Sequence, residues 1–529
     1  MREFEVKLLG DNAHKGLRSS YTARRNTFGL VGCQNMTVEE DKLVIYQEVP
    51  FAVNTATLYG LGIDELAWPD PRLFQGREKA FMVYGDRIFI LDHETWTPIE
   101  VSEDIYTVDD GAVSFEIVGG TPWEFIDMGK AWMFVNGMSA VMYHQHSAMT
   151  GGTDNIRGYS GIRVQTGCEF RGRMMLGGFD PEYSWHPTWK TFIESWAQEI
   201  VATFDTDISL GNNFVMWSPV GFDLFWMFYP ATLGLAGPVT GAEFDGDRPW
   251  LFEMMMRNDM GWMPMPWKGT VLNLRPLGKG VMVYGDAGIS YLIPSGELTT
   301  FGRIDFSTTL GVNNKGAVGG DDTVQVFLSP EGDLWRVEAE KAPVNLGYRE
   351  FFKNNLDTLW TVSYVPHEKY FYISNGVETF QLTPWGLSST KQLITSTVYR
   401  GGNALCLGST LTDNTVLYTS DEFDNGSAEI DTLQWVKMGG NKTDMFECAI
   451  DYKYNESDDW VRSEYRPVNR QGAVFVGRGG KVFRVVMRVL DEDIDDVNDV
   501  QPPDWLVYTF KRTDKRFTRG INIMQMGRE

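Results

Sequence analysis

The sequence predicts a mainly β protein: a β-propeller of roughly six to eight blades, with inserted loops and a helix, followed by a C-terminal β-sheet region. Three copies of one cassette carry this prediction, beginning at Lys79, Lys130 and Lys279. Each has an apolar and aromatic run, a Gly-Asp or Asn-Gly pair and a second apolar run, the pattern of a tight β-hairpin. The starts lie 51 and 149 residues apart, close to one and three periods of about 50 residues, as in propeller blades.

The length alone favours two to four domains, but the repeated cassette favours one large ring with additions. The chain has 529 residues, of which 43% are hydrophobic and 13% aromatic, which is enough for a large core or an extensive interface. The N-terminus lacks the apolar run of a signal peptide, and no stretch reaches the about 20 apolar residues of a membrane span. We therefore expect a chain without a membrane span, made in a cytoplasm before it reaches its working place.

The chain is strongly acidic, with 71 Asp and Glu against 47 Lys and Arg and a net charge of −24. Gripping nucleic acid along the whole surface needs clustered cations, so this balance argues against it. An acidic wall repels phosphates, and a conduit lined with carboxylates would let duplex DNA slide without sticking. The same composition is also typical of a soluble acidic protein without such a role.

Residues 1–30 are polar and mixed in charge, which is typical of an N-terminal arm. Arg24 and Arg25 near its end are candidate contacts with a partner, although a solvated tail has the same composition. The propeller is expected over residues 31–440. A strand is predicted at Lys42–Tyr46, before Pro50, where it would enter the ring and close it by pairing with the last blade.

An insertion around residues 180–270 interrupts the propeller. A helix is predicted in it, because the apolar residues from Trp189 to Ile200 follow a spacing of three and four. A segment rich in Met, Trp and Pro follows, whose thioethers and rigid rings suit a surface that packs against a neighbour. The same side chains would also fill an irregular core between blades. The candidate interface residues in this segment are Met254, Met255, Trp262, Met263 and Trp267.

Residues 441–529 are predicted to form a C-terminal β region with an acidic loop and a basic tail. The strand Lys481–Val489 alternates apolar residues with Arg484 and Arg488, as in a sheet with one buried face. The acidic run after it lacks the Gly and final Glu of the helix-loop-helix calcium pattern, so a solvated, repelling loop is expected. Its acidic residues are Asp491, Glu492, Asp493, Asp495 and Asp496, and the tail adds Arg516 and Arg519 as candidate contacts.

The sequence contains no motif typical of catalysis or metal binding. His144 and His146 share one side of a strand but have no third ligand at a suitable spacing, and no nucleophile elbow, zincin motif or P-loop occurs. We therefore expect no enzymatic activity, catalytic residue, metal or cofactor, although carboxylates that converge on a ring axis would be invisible in the sequence. Four widely spaced cysteines are expected to be free buried thiols: Cys33, Cys168, Cys406 and Cys448.

Several segments together resemble one family. Residues 33–44, Cys-Gln-Asn-Met-Thr-Val-Glu-Glu-Asp-Lys-Leu-Val, precede the Tyr84-Gly-Asp and Val135-Asn-Gly turns. Residues 477–484, Gly-Arg-Gly-Gly-Lys-Val-Phe-Arg, and 516–523, Arg-Phe-Thr-Arg-Gly-Ile-Asn-Ile, lie near the other end. This combination resembles the β-propeller nozzle or hub proteins in the tails of short-tailed bacteriophages, with an opening strand, a propeller and a terminal sheet.

The resemblance implies a structural virion protein that forms a homo-oligomeric ring, with six copies expected, in the distal tail below an adaptor or portal ring. Such a protein retains packaged DNA and is the conduit for its ejection, without specific DNA binding. Tail fibres or a needle are further expected partners, and assembly would take place in the host cytoplasm. The residues also allow a propeller that recognises a receptor by binding or hydrolysing glycans, or one that is a general interaction platform.

Overall fold

The computed structural model is mainly β over the residues that it describes, with two short helices. These residues are 2–6, 17, 30–39, 43–63, 71–92, 94–101, 105–107, 117–119, 121–129, 131–144, 155–158, 163–180, 212–218, 220, 261–295, 300–400, 403–409, 415–420, 422–423, 430–439, 445–455, 457–489 and 505–511. They include most of the predicted propeller and much of the C-terminal β region.

Four strands and one helix precede the first blade. They are β1 (Arg2–Val6), β2 (Leu30–Gln34), β3 (Met36–Val38), β4 (Leu43–Ile45) and α1 (Thr55–Gly60). β3 and β4 pair as a two-stranded antiparallel sheet. The helix begins after Asn54, whose side-chain oxygen accepts a hydrogen bond from the Thr57 backbone N–H (2.8 Å) and so caps the helix.

The β-propeller arrangement has five blades, each a separate sheet with four antiparallel strands in sequence order. Blade 1 contains β5 (Arg72–Gln75), β6 (Ala80–Tyr84), β7 (Arg87–Leu91) and β8 (Pro98–Glu100). Blade 2 contains β9 (Ile105–Thr107), added parallel to β13, and β10 (Glu124–Asp127), β11 (Ala131–Val135), β12 (Ala140–His144) and β13 (Asn155–Gly158). Blade 3 contains β14 (Val164–Phe170), β15 (Arg173–Phe179), β16 (Phe214–Trp217) and β17 (Gly261–Pro264).

The last two blades continue the same order of strands. Blade 4 contains β18 (Val271–Leu277), β19 (Gly280–Gly285), β20 (Ile289–Pro294) and β21 (Phe301–Ser307). Blade 5 contains β22 (Val318–Gly320), β23 (Val324–Leu328), β24 (Leu334–Glu338) and β25 (Val344–Asn345). Blades 4 and 5 share a buried apolar cluster, as do blades 1 and 2 and blades 3 and 4, so neighbouring blades are joined by packed side chains.

Each of the three cassettes forms the second and third strands of a blade, which confirms the predicted hairpins: β6–β7, β11–β12 and β19–β20. In blade 1 the two-residue turn is Gly85-Asp86, and Gly85 has a φ of +59°, a conformation that favours glycine. In blade 2 the Asn136 side chain accepts hydrogen bonds from the Met138 and Ser139 backbone N–H groups (2.9 and 2.7 Å). Local turn chemistry therefore fixes each hairpin.

Two further β units follow blade 5. They are separated from it by α2 (Arg349–Phe352) and contain β26 (Thr361–Val365), β27 (Tyr370–Ser374), β28 (Thr379–Leu382), β29 (Leu387–Thr390), β30 (Ile394–Arg400) and β31 (Asn403–Gly408). β26 contacts β22 and β30, and β30 contacts β5 of blade 1. The count of five separate blades differs from the six to eight predicted, because β26–β29 belong to a ten-stranded sheet and β30–β31 form a two-stranded one.

The period of about 50 residues does not hold between the second and third cassettes. A spacing of three periods predicts two blades between them, whereas the described residues there form one, blade 3. Residues 181–211 and 221–260 fall between consecutive strands of this blade, so the blade spans more of the sequence than one period. The helix predicted at Trp189–Ile200 lies in the first of these segments, outside the described residues.

The N-terminal segment pairs with β31. Ala52 donates its N–H to the Cys406 backbone oxygen, and Cys406 donates to Pro50 (both 2.8 Å). Phe51 therefore lies parallel beside Cys406. The strand predicted at Lys42–Tyr46 is β4, which pairs with β3 instead. The pairing with a late strand that we expected of it is formed by residues 50–52 with β31.

Two packed sheets form a β-sandwich near the C-terminus. The strands are β32 (Leu417–Ser420), β33 (Asp431–Gly439), β34 (Phe446–Lys453), β35 (Val461–Arg462), β36 (Arg466–Pro467), β37 (Ala473–Gly480), β38 (Val482–Val489) and β39 (Trp505–Lys511). One sheet has the order β1-β39-β33-β37. The other has the order β2-β32-β38-β34, with β35 and β36 paired to β34, and it continues through β2 into β29. The sandwich takes in β32 and β33, which lie before residue 441.

The strand predicted to have one apolar and one basic face is β38. Phe483, Val485 and Met487 are buried in the core that the two sheets share. Arg484 and Arg488 alternate with them and lie 4.0 Å from the ring centres of Trp460 and Tyr465, respectively. The basic face is therefore covered by cation–π contacts within the same sheet.

Candidate functional site

The first strands of neighbouring units line the centre of the propeller. β10 contacts β14, β14 contacts β18, and a second series runs from β22 through β26 and β30 to β5. Four polar residues at or near the starts of these strands are buried, with at most 6% of each exposed. We call them the axial cluster: Arg72, Glu124, Asn273 and Lys315.

Contacts within the axial cluster join blades that are not neighbours. Asn273 of blade 4 donates from Nδ2 to Glu124 Oε1 of blade 2 and to the Lys315 backbone oxygen (both 3.1 Å). Lys315, just before blade 5, donates from Nζ to the Val135 backbone oxygen of blade 2 (3.4 Å). Since blade 3 separates blade 2 from blade 4, these contacts cross the middle of the ring. The axial cluster therefore bridges the centre of the propeller at this level.

Lys315 has a strongly shifted pKa. Burial lowers the pKa of its ammonium from 10.5 to about 7, because the charged form loses its hydration. The Glu124 carboxylate opposes this shift, and the Arg72 guanidinium adds to it. Glu124 also faces the guanidinium of Arg275, at 3.8 Å. Near neutral pH, Lys315 is divided between its charged and neutral forms.

The axial cluster connects blades 1, 2, 4 and 5 through buried hydrogen bonds, including one from Arg72 Nη1 to the Trp123 backbone oxygen beside β10 (3.3 Å). In a buried environment such bonds are strong and specify one arrangement. A lysine with a pKa near neutrality also occurs at catalytic sites. In the part of the chain that the structure describes, no group of three or more His, Cys, Asp or Glu side chains could hold a metal ion.

A sequence signal for the axial cluster exists, although the sequence analysis did not single it out. Arg72, Glu124 and Asn273 lie seven, six and six residues before the first lysine of the three cassettes. Each is in the first strand of its blade, ahead of the cassette hairpin. An alignment of the three cassettes would have placed a polar residue near one position of the repeat.

A crevice of about 500 Å³ opens between blades 4 and 5. Tyr291 and Phe306 are stacked in it, with ring centres 6.3 Å apart, and Lys279 and Glu340 form an exposed ion pair at 2.6 Å. An apolar floor with charged groups at its margin suits an apolar group that carries polar ends. The other lining residues are Leu277, Met282, Ile293, Ile304, Glu338, Lys341 and Ala342.

Three predicted interface residues are described. Trp267 is buried (3% exposed) in the core of blades 3 and 4, where a Cβ added at Gly288 would lie 2.4 Å from its indole ring. Met263 packs against the same core, and Trp262 is half-buried opposite Met216 in blade 3. Trp267 and Met263 therefore fill core between blades, which was the alternative to a contact with a partner. The other sites lie outside the described residues: Arg24, Arg25, Met254, Met255, Arg516, Arg519, Asp491, Glu492, Asp493, Asp495 and Asp496.

The four cysteines are free and buried, as predicted. Burial raises the pKa of the Cys33 and Cys448 thiols to about 12, so both stay protonated and unreactive at neutral pH. Of the two histidines considered as ligands, His144 ends β12 and His146 lies outside the described residues. Within the described residues, no helix has the length and apolar character needed to cross a membrane.

No protein-family model and no curated protein matches the sequence. Among solved structures, the WD40 domain of Pan2 from Neurospora crassa is similar at 8% identity over 62% of this chain and 82% of that chain, with a TM-score of 0.31. Apo AztD from Citrobacter koseri is similar at 9% identity over 64% of this chain and 90% of that chain, with a TM-score of 0.29. Similarity at this level carries no argument about function.

Proposed function

We propose that the chain is a structural protein of a phage tail that assembles into a homo-oligomeric ring around a conduit for DNA. The observation that supports the proposal is the set of hydrogen bonds that bridges the centre of the propeller. Buried side chains of the axial cluster occupy it and hydrogen-bond across it, so a duplex has no path through one copy. A conduit would therefore lie between copies, as in cyclic assemblies whose subunits enclose a channel.

The charge of the chain supports a passive role for this conduit. Each copy has a net charge of −24, and an acidic wall repels phosphates rather than holding them. The protein would retain DNA and pass it at ejection without specific binding or catalysis. Its partners would be further copies of itself, six in a ring, the adaptor or portal-proximal tail proteins, and tail fibres or a needle.

We infer that the propeller of each copy has seven blades, within the range expected from the sequence. Strands β26–β29 would form the sixth blade. Strands β30–β31, with residues 50–52 beside β31, would form the seventh blade. The contacts from β22 through β26 and β30 to β5 support this count. A cryo-electron microscopy map of the protein would show seven wedges around one axis, and five or six wedges would contradict the inference.

Electron microscopy of the purified protein tests the proposed ring. We expect annular particles with a central opening, formed by the protein alone or with adaptor-type tail proteins, and a mass of several copies by analytical ultracentrifugation. A mobility-shift assay with duplex DNA at physiological salt should show no stable complex. A chain that stays monomeric at every concentration, also with virion partners, would contradict the proposal.

Glycan recognition is a second candidate function, and the crevice between blades 4 and 5 favours it. Phe306 offers an aromatic surface there, and Glu338, Glu340 and Lys279 offer hydrogen-bonding groups at the margin. Recognition sites commonly combine such surfaces with a few convergent polar groups. A glycan array with a reducing-sugar assay separates the candidates, because a passive conduit gives neither binding nor release. Binding that is lost in Phe306→Ala would support the second candidate.

A further inference from the structure

The outer face of one sandwich sheet carries two exposed aromatic side chains in contact with each other. Trp435 of β33 lies opposite Phe475 of β37 in the strand register. Trp435 is 40% exposed and Phe475 is 44% exposed. Their ring centres are 5.1 Å apart with an edge-to-face angle of 66°, a favourable geometry for an aromatic pair. Large adjacent rings at the surface leave apolar area whose burial would be favourable.

The core of the sandwich does not account for these two rings. Alternation along the strands sends Val436 and Val476 into the core, where both are buried. Trp435 and Phe475 therefore project from the opposite side of the sheet. Beyond Phe475, Gly477 has a φ of +62°, and a Cβ added there would lie 3.0 Å from the Phe475 ring. The glycine thus leaves room for the ring to lie against the strand.

Two cations adjoin the aromatic pair. Lys437 is exposed two residues after Trp435 on the same strand. Arg466 donates from Nη1 to the Phe475 backbone oxygen (2.9 Å). Neither cation forms an ion pair with another described residue. We call Trp435, Phe475, Lys437 and Arg466 the aromatic face. Aromatic anchors with Arg at the centre of a patch are typical of residues that dominate the energy of protein interfaces.

We propose that the aromatic face docks a second copy of this chain. A cationic patch on a protein with a net charge of −24 is complementary to the acidic surface of another copy. Burial of the two rings would supply affinity, and pairing of the cations with carboxylates would orient the contact. Because the patch would meet a different surface of the neighbour, the contact is heterologous and can close a ring. This inference rests on the proposed ring and assigns one of its contacts.

The mass of the 529-residue chain, measured by analytical ultracentrifugation over a range of concentrations, tests the aromatic face. In Trp435→Ser/Phe475→Ser we expect assembly to weaken by at least about tenfold, without a change in the circular dichroism spectrum. Val377→Ser is the matched control, because Val377 is an apolar side chain that is 74% exposed in the turn between β27 and β28, and it should assemble like the wild type. Lys437→Glu is a charge reversal at an exposed site and should weaken assembly most at low salt.

Two outcomes overturn the inference and are distinguishable. If the wild type assembles and both the double variant and Lys437→Glu assemble equally well, the aromatic face is not the contact, while the proposed ring stands. If the wild type stays monomeric at every concentration, also with virion partners, the ring fails and the contact fails with it. If the double variant does not fold, Lys437→Glu alone decides the question.

Discussion

Lys315 is the single residue for which we expect the clearest dependence of stability on pH, because its ammonium is buried in the centre of the propeller. The pKa is about 7 in the folded protein against 10.5 for an ordinary lysine, so the unfolded chain binds more protons between these pH values. Its contribution to the stability of the wild type therefore rises with pH across this window. Below pH 7 both states are protonated and the folded state bears the full cost of the buried charge.

Lys315→Met removes this titration. We expect the free energy of unfolding of the wild type minus that of the variant to increase by on the order of 4 kcal/mol from pH 7 to pH 10.5, since one pKa unit corresponds to about 1.4 kcal/mol. Urea denaturation at several pH values measures it. Lys391→Met, at an exposed lysine outside the axial cluster and the aromatic face, is the control and should follow the wild type. A difference that does not vary with pH would mean that Lys315 keeps an ordinary pKa in the fold.

Residue roles were harder to predict from the sequence than residue types. Trp267 was a candidate contact because Trp and Met suit interfaces, but the same side chains suit cores, and Trp267 is buried against Gly288. Arg72 and Glu124 are typical surface residues by composition. Their burial depends on the convergence of blades that are distant in the sequence, which no local pattern reveals.

Gln392, between β29 and β30, connects residues 46–49 to these strands and shows how one side chain stabilises a segment. Its Oε1 accepts hydrogen bonds from the Val49 N–H (2.9 Å) and the Tyr46 hydroxyl (2.6 Å). Its Nε2 donates to the Val49 backbone oxygen (2.9 Å). The side chain is fully buried, so it replaces a neighbouring strand for both polar groups of Val49.

Gln392→Ala should lower the free energy of unfolding by about 2 kcal/mol, because it leaves the buried Val49 N–H without a partner, at about 1–3 kcal/mol. Among the described residues, the Val49 backbone oxygen keeps only the weak donor of the Cys406 thiol (3.3 Å). Chemical denaturation at neutral pH measures the loss. Gln471→Ala, at an exposed turn, is the matched control and should stay within about 0.5 kcal/mol of the wild type. A loss below about 1 kcal/mol would show that water replaces the amide.

Elements formed by local rules were predictable, and elements formed by distant pairing were not. The three cassettes gave the right hairpins because Gly85-Asp86 and Asn136-Gly137 carry their turn chemistry with them. Five separate blades form rather than the six to eight predicted, because β2 joins β29 to β32 in one sheet and β30–β31 form a separate two-stranded sheet. Gln34, for example, donates from its side chain to the Thr415 backbone oxygen, 381 residues away (3.1 Å). Sequence periodicity contains no information about such a partner.

For the whole molecule, strands from the beginning of the chain complete both sheets of the sandwich. β1 pairs with β39 in one sheet, and β2 pairs with β32 in the other. The core of the sandwich also includes side chains of blade 5, such as Val326 and Leu334. The sandwich therefore shares a core with blade 5, and one of its two sheets continues through β2 into β29. This continuity would hold the aromatic face in a fixed orientation relative to the propeller of the same chain.

Deletion of residues 1–6 tests how far the N-terminal strand stabilises the sandwich. Without β1, β39 becomes an edge strand of its sheet, and the backbone groups that paired with β1 are exposed to water. We expect amide hydrogen exchange in β39 to accelerate by about tenfold or more, while exchange in β18–β21 of blade 4 is unchanged and provides the internal reference. Hydrogen exchange with mass spectrometry measures both regions in one sample. Equal protection of β39 in the chains with and without residues 1–6 would mean that β1 contributes little to the sheet. Faster exchange in blade 4 as well would show that the loss spreads through the shared core to the whole molecule.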